Sequence, residues 1–400
     1  MNFITTGELL NWVMQKKEIA YIRKQFKLDH ERLHIYDILN AYIMKETNEI
    51  YHFERHPFEL LDREKQELYM SNFKKLLSGE IDQKLFELKL HEEAEMPTKT
   101  MLHQGLVTGD ADEWTELMLG LVDKMMADTR FERDTVVTFI RGQYYQPTKA
   151  RSEESEESES DEMFANPFIL CSINSTEQQK KTLMFDYVER EYKYNVIVDP
   201  IIKLSAPQQG FFYPSVTEGY SDVNRILYCS GKVHFPDQHF IEEVLNAEKT
   251  VTALEERAIF EEIVKEVAGE QLDAAVIAQV YEEIHQVVET QEEDEPARLD
   301  YRDVERVLTS SGVDNVTVEK VERAFETIVD NKNYEIKASN VVPKFTSKSI
   351  KIDTKVATIS VSPQDLKYVR QVNYQGRRCI LIEVDEDAVI EGFTLNTETL

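Results

Sequence analysis

His30-Glu31-Arg32-Leu33-His34-Ile35-Tyr36-Asp37-Ile38-Leu39-Asn40-Ala41-Tyr42-Ile43-Met44, then Lys45-Glu46-Thr47-Asn48-Glu49, then Ile50-Tyr51-His52-Phe53, is the stretch on which the fold turns. An apolar-rich run from Leu33 to Met44, a polar five-residue interval and a second run from Ile50 to Phe53 make a β-hairpin. A helical reading competes, because Leu33, Tyr36 and Leu39 also recur at helical spacing. In that reading His30-Glu31-Arg32-Leu33-His34 becomes H-E-x-x-H, with two imidazoles on one face for zinc and Glu31 as base. Glu54 would be available as a third ligand. The extended reading separates residues four apart by ~13 Å, too far for a single zinc ion. The Lys27-Leu28-Asp29 break before the motif favours the strand. A zinc-dependent hydrolase therefore stands as the alternative, and the expected metal and catalytic sets are empty.

Upstream, Ile19, Ile22 and Phe26 recur at helical spacing, while Lys16, Lys17, Arg23, Lys24 and Lys27 form a small basic patch around them. Downstream, Arg63 to Leu77 reads as a helix stopped by Ser78-Gly79. A further helix spans Asp112 to Met126, and a strand covers Thr135 to Ile140. Ser152 to Glu162 alternates serines with seven acidic residues and has no apolar side chain, so it reads as a linker. Past it come a strand at Phe168 to Ile173, a helix at Thr176 to Tyr187 and irregular chain punctuated by Pro200, Pro207, Gly210, Pro214 and Gly219. Ile226 to Ser230 is a short strand, and Asp237 to Val288 turns helical. Four consecutive acids ending at Pro296 mark a second break. Arg302 to Leu308 and Thr317 to Val329 form a helical hairpin; the second helix is too acidic for a DNA-reading helix-turn-helix. The end is β-rich: Ile350 to Ile352, Val356 to Val361, Tyr368 to Val372 and Arg377 to Val384. The expected class is α+β, with mixed sheets, packed helices and an acidic helical segment. The expected divisions are 1–150, an acidic linker 151–163, a central α+β region 164–295 and a C-terminal region 296–400.

Across 400 residues, 46 Lys plus Arg face 75 Asp plus Glu, a formal charge of -29. Such an excess argues against coating nucleic acid or an anionic membrane over the whole surface. Cys171, Cys229 and Cys379 are far apart, odd in number and set in apolar runs, so they read as buried small hydrophobes. No run approaches the ~18 apolar residues of a membrane span, and Met1 to Met14 lacks a signal-peptide pattern. A cytoplasmic location is expected. Phosphate loops and the G-x-S-x-G nucleophile elbow are absent, and no cofactor is implied.

Charge is segregated along the chain. From Asp237 to Glu295 there are 18 acidic and three basic residues, either solvated helix faces or a docking surface for a basic protein. From Lys344 to Arg378 the balance reverses: Lys344, Lys348, Lys351, Lys355, Lys367, Arg370, Arg377 and Arg378 face only Asp353 and Asp365. A basic β face with Tyr368 and Tyr374 beside it is suited to contacting phosphates and stacking bases. The expected nucleic-acid-binding set is Lys344, Lys348, Lys351, Lys355, Arg370, Arg377 and Arg378. The expected partners are nucleic acid or a nucleic-acid-processing protein, and a basic protein for the acidic helices. A homodimer is compatible with the sequence.

Lys16-Lys17-Glu18-Ile19-Ala20-Tyr21-Ile22-Arg23-Lys24-Gln25-Phe26 resembles the opening of an uncharacterised bacterial family, found mainly in Gram-positive bacteria and known only as a domain of unknown function. The resemblance continues through Phe73 to Gly79, Gly210 to Pro214 and Asn340 to Ile390. In that family the chain after the first helix is extended and lacks paired histidines, so His30 and His34 are a departure. A second likeness joins Ile226 to Lys232, Phe240 to Leu245, Ala258 to Val264 and Thr358 to Val361, which are similar to the core of the bacterial nucleoid-associated protein family. That resemblance implies association with the nucleoid or a DNA-processing partner, without known catalysis, and carries over no functional residue.

Overall fold

The computed structural model describes residues 14, 16–91, 97–127, 129–147, 163–177, 182–195, 199–217, 220–248, 250–269, 271–290, 297–343, 350–390 and 393–394. The chain divides into two compact units, Met1–Thr252 and Ala253–Leu400, and the class is α+β.

The first unit runs α1 (Lys16–Gln25), β1 (Leu33–Met44), β2 (Glu49–Pro57), α2 (Arg63–Leu76), β3 (Leu85–Lys89), α3 (Thr98–Val107), α4 (Ala111–Ala127), β4 (Thr135–Pro147) and β5 (Met163–Glu177). It continues with β6 (Thr182–Asp186), β7 (Glu191–Asn195), β8 (Ile201–Ile202), β9 (Gln209–Tyr213), β10 (Ser215–Thr217), β11 (Tyr220–Asp222) and β12 (Arg225–Ser230). An eight-stranded antiparallel sheet carries the order β2-β1-β4-β5-β9-β12-β3, with β8 paired to β5. Both faces of the sheet's central strands are covered, which explains why strands such as β5, β9 and β12 read as apolar-rich runs, whereas the edge strand β2 is largely exposed. In β5, Phe168 and Leu170 enter one core with Ile19, Ile22, Phe73 and Leu76 of α1 and α2. Ile169, Cys171 and Ile173 enter the other with Leu102, Trp114 and Met118 of α3 and α4. Burying one large apolar side chain stabilises by roughly 1.5–3 kcal/mol, so this two-sided packing dominates the unit. Asp37 interrupts the apolar face of β1 and is neutralised by Arg55 at 3.2 Å and Arg141 at 2.8 Å.

The hairpin read from Leu33 to Phe53 is present as β1 and β2, paired from Asp37↔Pro57 to Met44↔Glu49. Three other expectations are corrected. The cut at 151–163 does not separate domains: β4 and β5 pair with each other from Thr135↔Ser175 to Pro147↔Met163. A stretch without apolar side chains cannot build a core, but its composition does not reveal whether its flanks pair. The Ser/Glu stretch itself lies outside the described residues. The helix expected from Thr176 to Tyr187 is instead the end of β5 followed by the β6–β7 hairpin, which alternates Leu183, Phe185, Tyr192 and Tyr194 on one face. The chain around Gly210, read as irregular, contains the interior strand β9. Gly210 is required there by a close approach, because a Cβ would collide with the Cys171 carbonyl oxygen on β5.

The second unit holds α5 (Ala253–Ala268), α6 (Ala274–Thr290), β13 (Arg298–Leu299), α7 (Tyr301–Ser310), α8 (Val318–Val329), β14 (Ile336–Lys337) and α9 (Ala338–Val341). These share one core that includes Phe260, Ile284, Leu299, Leu308 and Phe325. The expected boundary at 295/296 therefore falls within a single core, because an acidic connection can join two elements that both pack. Asp300 accepts from the Arg302 and Asp303 backbone N–H groups and fixes the start of α7; Thr317 does the same for α8. Among the described residues three antiparallel pairs follow: β15 (Ile350–Asp353) with β16 (Thr358–Val361), β17 (Val369–Tyr374) with β18 (Arg377–Ile382), and β19 (Val389–Ile390) with β20 (Phe393–Thr394).

Gly210→Ala should lower unfolding stability by about 1–3 kcal/mol, since the backbone contact has no flexible side chain to yield. Gly109→Ala, where a Cβ meets nothing within 4 Å, should leave the urea midpoint unchanged.

Candidate polyanion-binding groove

The sequences of α1 and α2 each encode two adjacent stripes. On α1, Ile19 and Ile22 are buried, and Phe26 just beyond the helix is buried with them. On α2, Met70, Phe73 and Leu76 are buried. Phe26 meets Phe73 edge-on at 5.9 Å and joins the helices. They run antiparallel, with Lys16 bonded to Glu80 at one end (3.1 Å) and Asp29 bonded to Arg63 at the other (2.8 Å). The Tyr21 hydroxyl donates to the Tyr145 carbonyl of β4 at 2.9 Å, fastening α1 to the sheet.

One residue on from each apolar stripe lies a polar one. Ala20, Arg23, Lys24 and Lys27 on one side, and Ser71, Lys74, Lys75 and Ser78 on the other, line an open groove of about 600 Å³. Both sets have the spacing i, i+3, i+4, i+7: Ala20, Arg23 and Lys24 share one face of α1 and Ser71, Lys74 and Lys75 one face of α2, while Lys27 and Ser78 lie just past the helix ends. Ala20, Ser71 and Ser78 are short and leave the space; the five cations fill its rim. Among the described residues no acidic side chain lines the groove. Gly79 at φ +146° turns the chain out of the helix directly after Ser78.

The electrostatic consequence is visible at His30, which follows α1. Burial first, then the Lys27 and Arg32 cations, push its imidazole below the ordinary histidine range; Glu31 opposes this and Lys24 adds to it. Such surroundings repel a metal cation as well as a proton. His30 and Glu31 lie in a turn and His34 in β1, so the H-E-x-x-H motif is not helical. The His34 ring packs edge-on against Tyr36 at 4.8 Å, and Glu54 sits 3.4 Å from His56. Among the described residues no group of three or more His, Cys, Asp or Glu side chains is placed to hold a metal. The motif therefore lacks the helical placement of both imidazoles that the zinc reading requires.

Residues 14–393 match the family described as Domain of unknown function (DUF4317). The chain belongs to that family. No curated protein matches it.

In this DUF4317 chain the C-terminal basic residues are spread out. Lys344 and Lys348 lie outside the described residues. Lys351 is on β15 opposite Ser360, and Lys355 is in the turn that follows. Arg377 pairs with Tyr374 and Arg378 with Asn373, so as neighbours in a strand they face opposite sides of the β17–β18 hairpin. Arg370 is bonded to Glu383 at 3.1 Å. Between Ile350 and Ile390, Glu383, Asp385, Glu386 and Asp387 join Asp353 and Asp365, balancing Lys351, Lys355, Lys367, Arg370, Arg377 and Arg378 one for one. The sequence window that ended at Arg378 stopped just short of the compensating acids.

Cys171 and Cys229 are fully buried, as their apolar runs implied, and burial pushes both thiols well above the ordinary range. Cys379 is half-buried. Sequence reading found Arg23, Lys24 and Lys27 but missed Lys74 and Lys75. Their signal was a basic pair at the same offset from an apolar stripe as in α1.

Lys27→Gln should raise the His30 titration midpoint toward the ordinary histidine value, and Lys24→Gln should raise it by less. Imidazole proton shifts followed through a pH series by NMR report both; unmoved midpoints would show that the groove field does not reach His30.

Proposed function

We propose that this DUF4317 chain is a non-enzymatic protein that associates with nucleic acid, or with a protein that handles it, through its basic surfaces, the α1–α2 groove foremost. The observation carrying this reading is the convergence of Arg23, Lys24, Lys27, Lys74 and Lys75 on one groove with no acidic lining residue among those described. A total charge of -29 does not cancel such a site. At 0.1 M salt the Debye length is ~10 Å, about one helix diameter, so charges farther away are largely screened from a ligand in the groove. Neutralising phosphates is what a cluster of Lys and Arg does best, and it releases counterions in doing so.

The C-terminal hairpins offer further contacts in this reading, through Lys351 and Lys355 on one hairpin and through Arg377 and Arg378 on opposite sides of the other. A cytoplasmic, nucleoid-associated setting is the context it implies, and the acidic α5 and α6 supply a separate face for a basic protein partner.

Fluorescence anisotropy with labelled DNA and RNA at about 50–200 mM salt, the range over which phosphate contacts are lost, tests the reading. Binding should weaken steeply with salt. Lys24→Glu combined with Lys74→Glu should reduce it at least about tenfold, while reversing Lys351, Arg377 and Arg378 together should have a smaller effect. Equal binding by all three proteins would remove the assignment to either basic surface.

A further inference from the structure

We infer that the α1–α2 groove grips the phosphate backbone of duplex nucleic acid by charge alone and reads no base. This rests on the polyanion reading above and narrows it to one ligand class. The first ground is the donor inventory. Five cations, two serines and one alanine line the groove, and Ser78 already donates to the Lys75 carbonyl at 2.6 Å. Among the described residues the lining contains no Asn, Gln, Asp or Glu, the side chains that pair with adenine or cytosine edges; Arg and Lys pair with guanine edges as well as with phosphates, and two duplexes that differ in guanine content separate those contacts.

The second ground is the lack of a stacking surface. Each aromatic side chain of α1, α2 and the turn between α1 and β1 is engaged elsewhere: Phe26 and Phe73 are buried, Tyr69 stacks on Phe73 at 6.2 Å, and the Tyr21 hydroxyl is bonded to Tyr145. Single-strand binders depend on aromatic rings that take up unstacked bases, and none lines this groove.

The third ground is where the helix ends lie. The stripes occupy helix flanks and last turns, while α1 starts at Lys16 and α2 at Arg63. The free backbone N–H groups that cradle the terminal phosphate of a mononucleotide occur at helix N-termini or in glycine-rich nests. The groove offers side-chain charge instead.

Size completes the argument. The helical part of each stripe, Ala20 to Lys24 and Ser71 to Lys75, rises about 6 Å, so each spans roughly two phosphates of a single strand. A duplex carries one charge per ~1.7 Å against ~3.4 Å for one strand, twice the density over the same length. Where charge is the whole of recognition, the denser polyanion binds more tightly.

Anisotropy titrations of the full chain should use two unrelated duplexes, their single strands, and ATP as competitor. We expect the two duplexes to bind alike, single strands several-fold more weakly, and ATP at millimolar concentration to displace neither. Lys74→Ala and Lys24→Ala should each lower the slope of log affinity against log salt by about one, equally for both duplexes. Lys24→Arg should keep the slope, and unchanged circular dichroism will show that each variant is folded. Single strands binding as tightly as duplex, a preference between the duplexes, or displacement by micromolar ATP would each overturn the inference while leaving polyanion binding intact. If no nucleic acid binds at all, the inference falls together with the proposed function.

Discussion

The pairing of β4 with β5 is the constraint on which the first unit depends. Thirteen consecutive residue pairs, Thr135↔Ser175 through Pro147↔Met163, place two long strands side by side at the middle of the sheet. β1 extends the sheet on one side and β9 on the other. Because side chains alternate along a strand, fixing this register decides which residues enter which of the two cores. Phe168 and Leu170 then meet α1 and α2, while Ile169 and Cys171 meet α3 and α4. A slip by one residue would exchange the two sets. The helices bearing the groove are placed by this sheet, and the hydrogen bond from Tyr21 to Tyr145 makes the link direct.

Much of this was legible where pattern and environment agree. The Leu33–Phe53 hairpin, the helices at Arg63 and Asp112, and the helices after Ala253 have a period, a breaker and a clear stop. What could not be read depended on partners distant in sequence. Thr176 to Tyr187 has enough spaced apolar residues to look helical, yet its partner strand, Glu191–Asn195, makes alternation the governing pattern. Gly210 and its proline neighbours look like loop, because a glycine demanded by close strand approach is locally identical to one demanded by a turn. The Ser/Glu stretch was judged by what it cannot do, and composition alone does not show which segments it connects.

The groove was half legible for the same reason. Basic residues on α1 stand out in the sequence, but the pair on α2 that matches Arg23 and Lys24 is 51 residues further on and meaningful only once Phe26 has met Phe73. Charge counted along the chain instead singled out the C-terminal lysines and arginines. Linear counting treats neighbours as companions, whereas Arg377 and Arg378 face away from each other and Arg370 is bonded to Glu383. Distance in space, not run length, decides whether cations act together.

The one-residue offset between the apolar and basic stripes has a consequence for how these helices can vary over evolution. An α-helix turns 100° per residue, so inserting or deleting a single position within Ile19–Phe26 or Met70–Leu76 would bring lysine toward the sheet and isoleucine or phenylalanine toward water. On the proposed charge-only reading of the groove, side-chain identity there can drift, but helix length cannot, because the apolar stripes must keep facing the sheet. Related chains should therefore differ by substitution in α1 and α2 and concentrate changes of length elsewhere, above all between paired strands, where added residues cost little closure entropy.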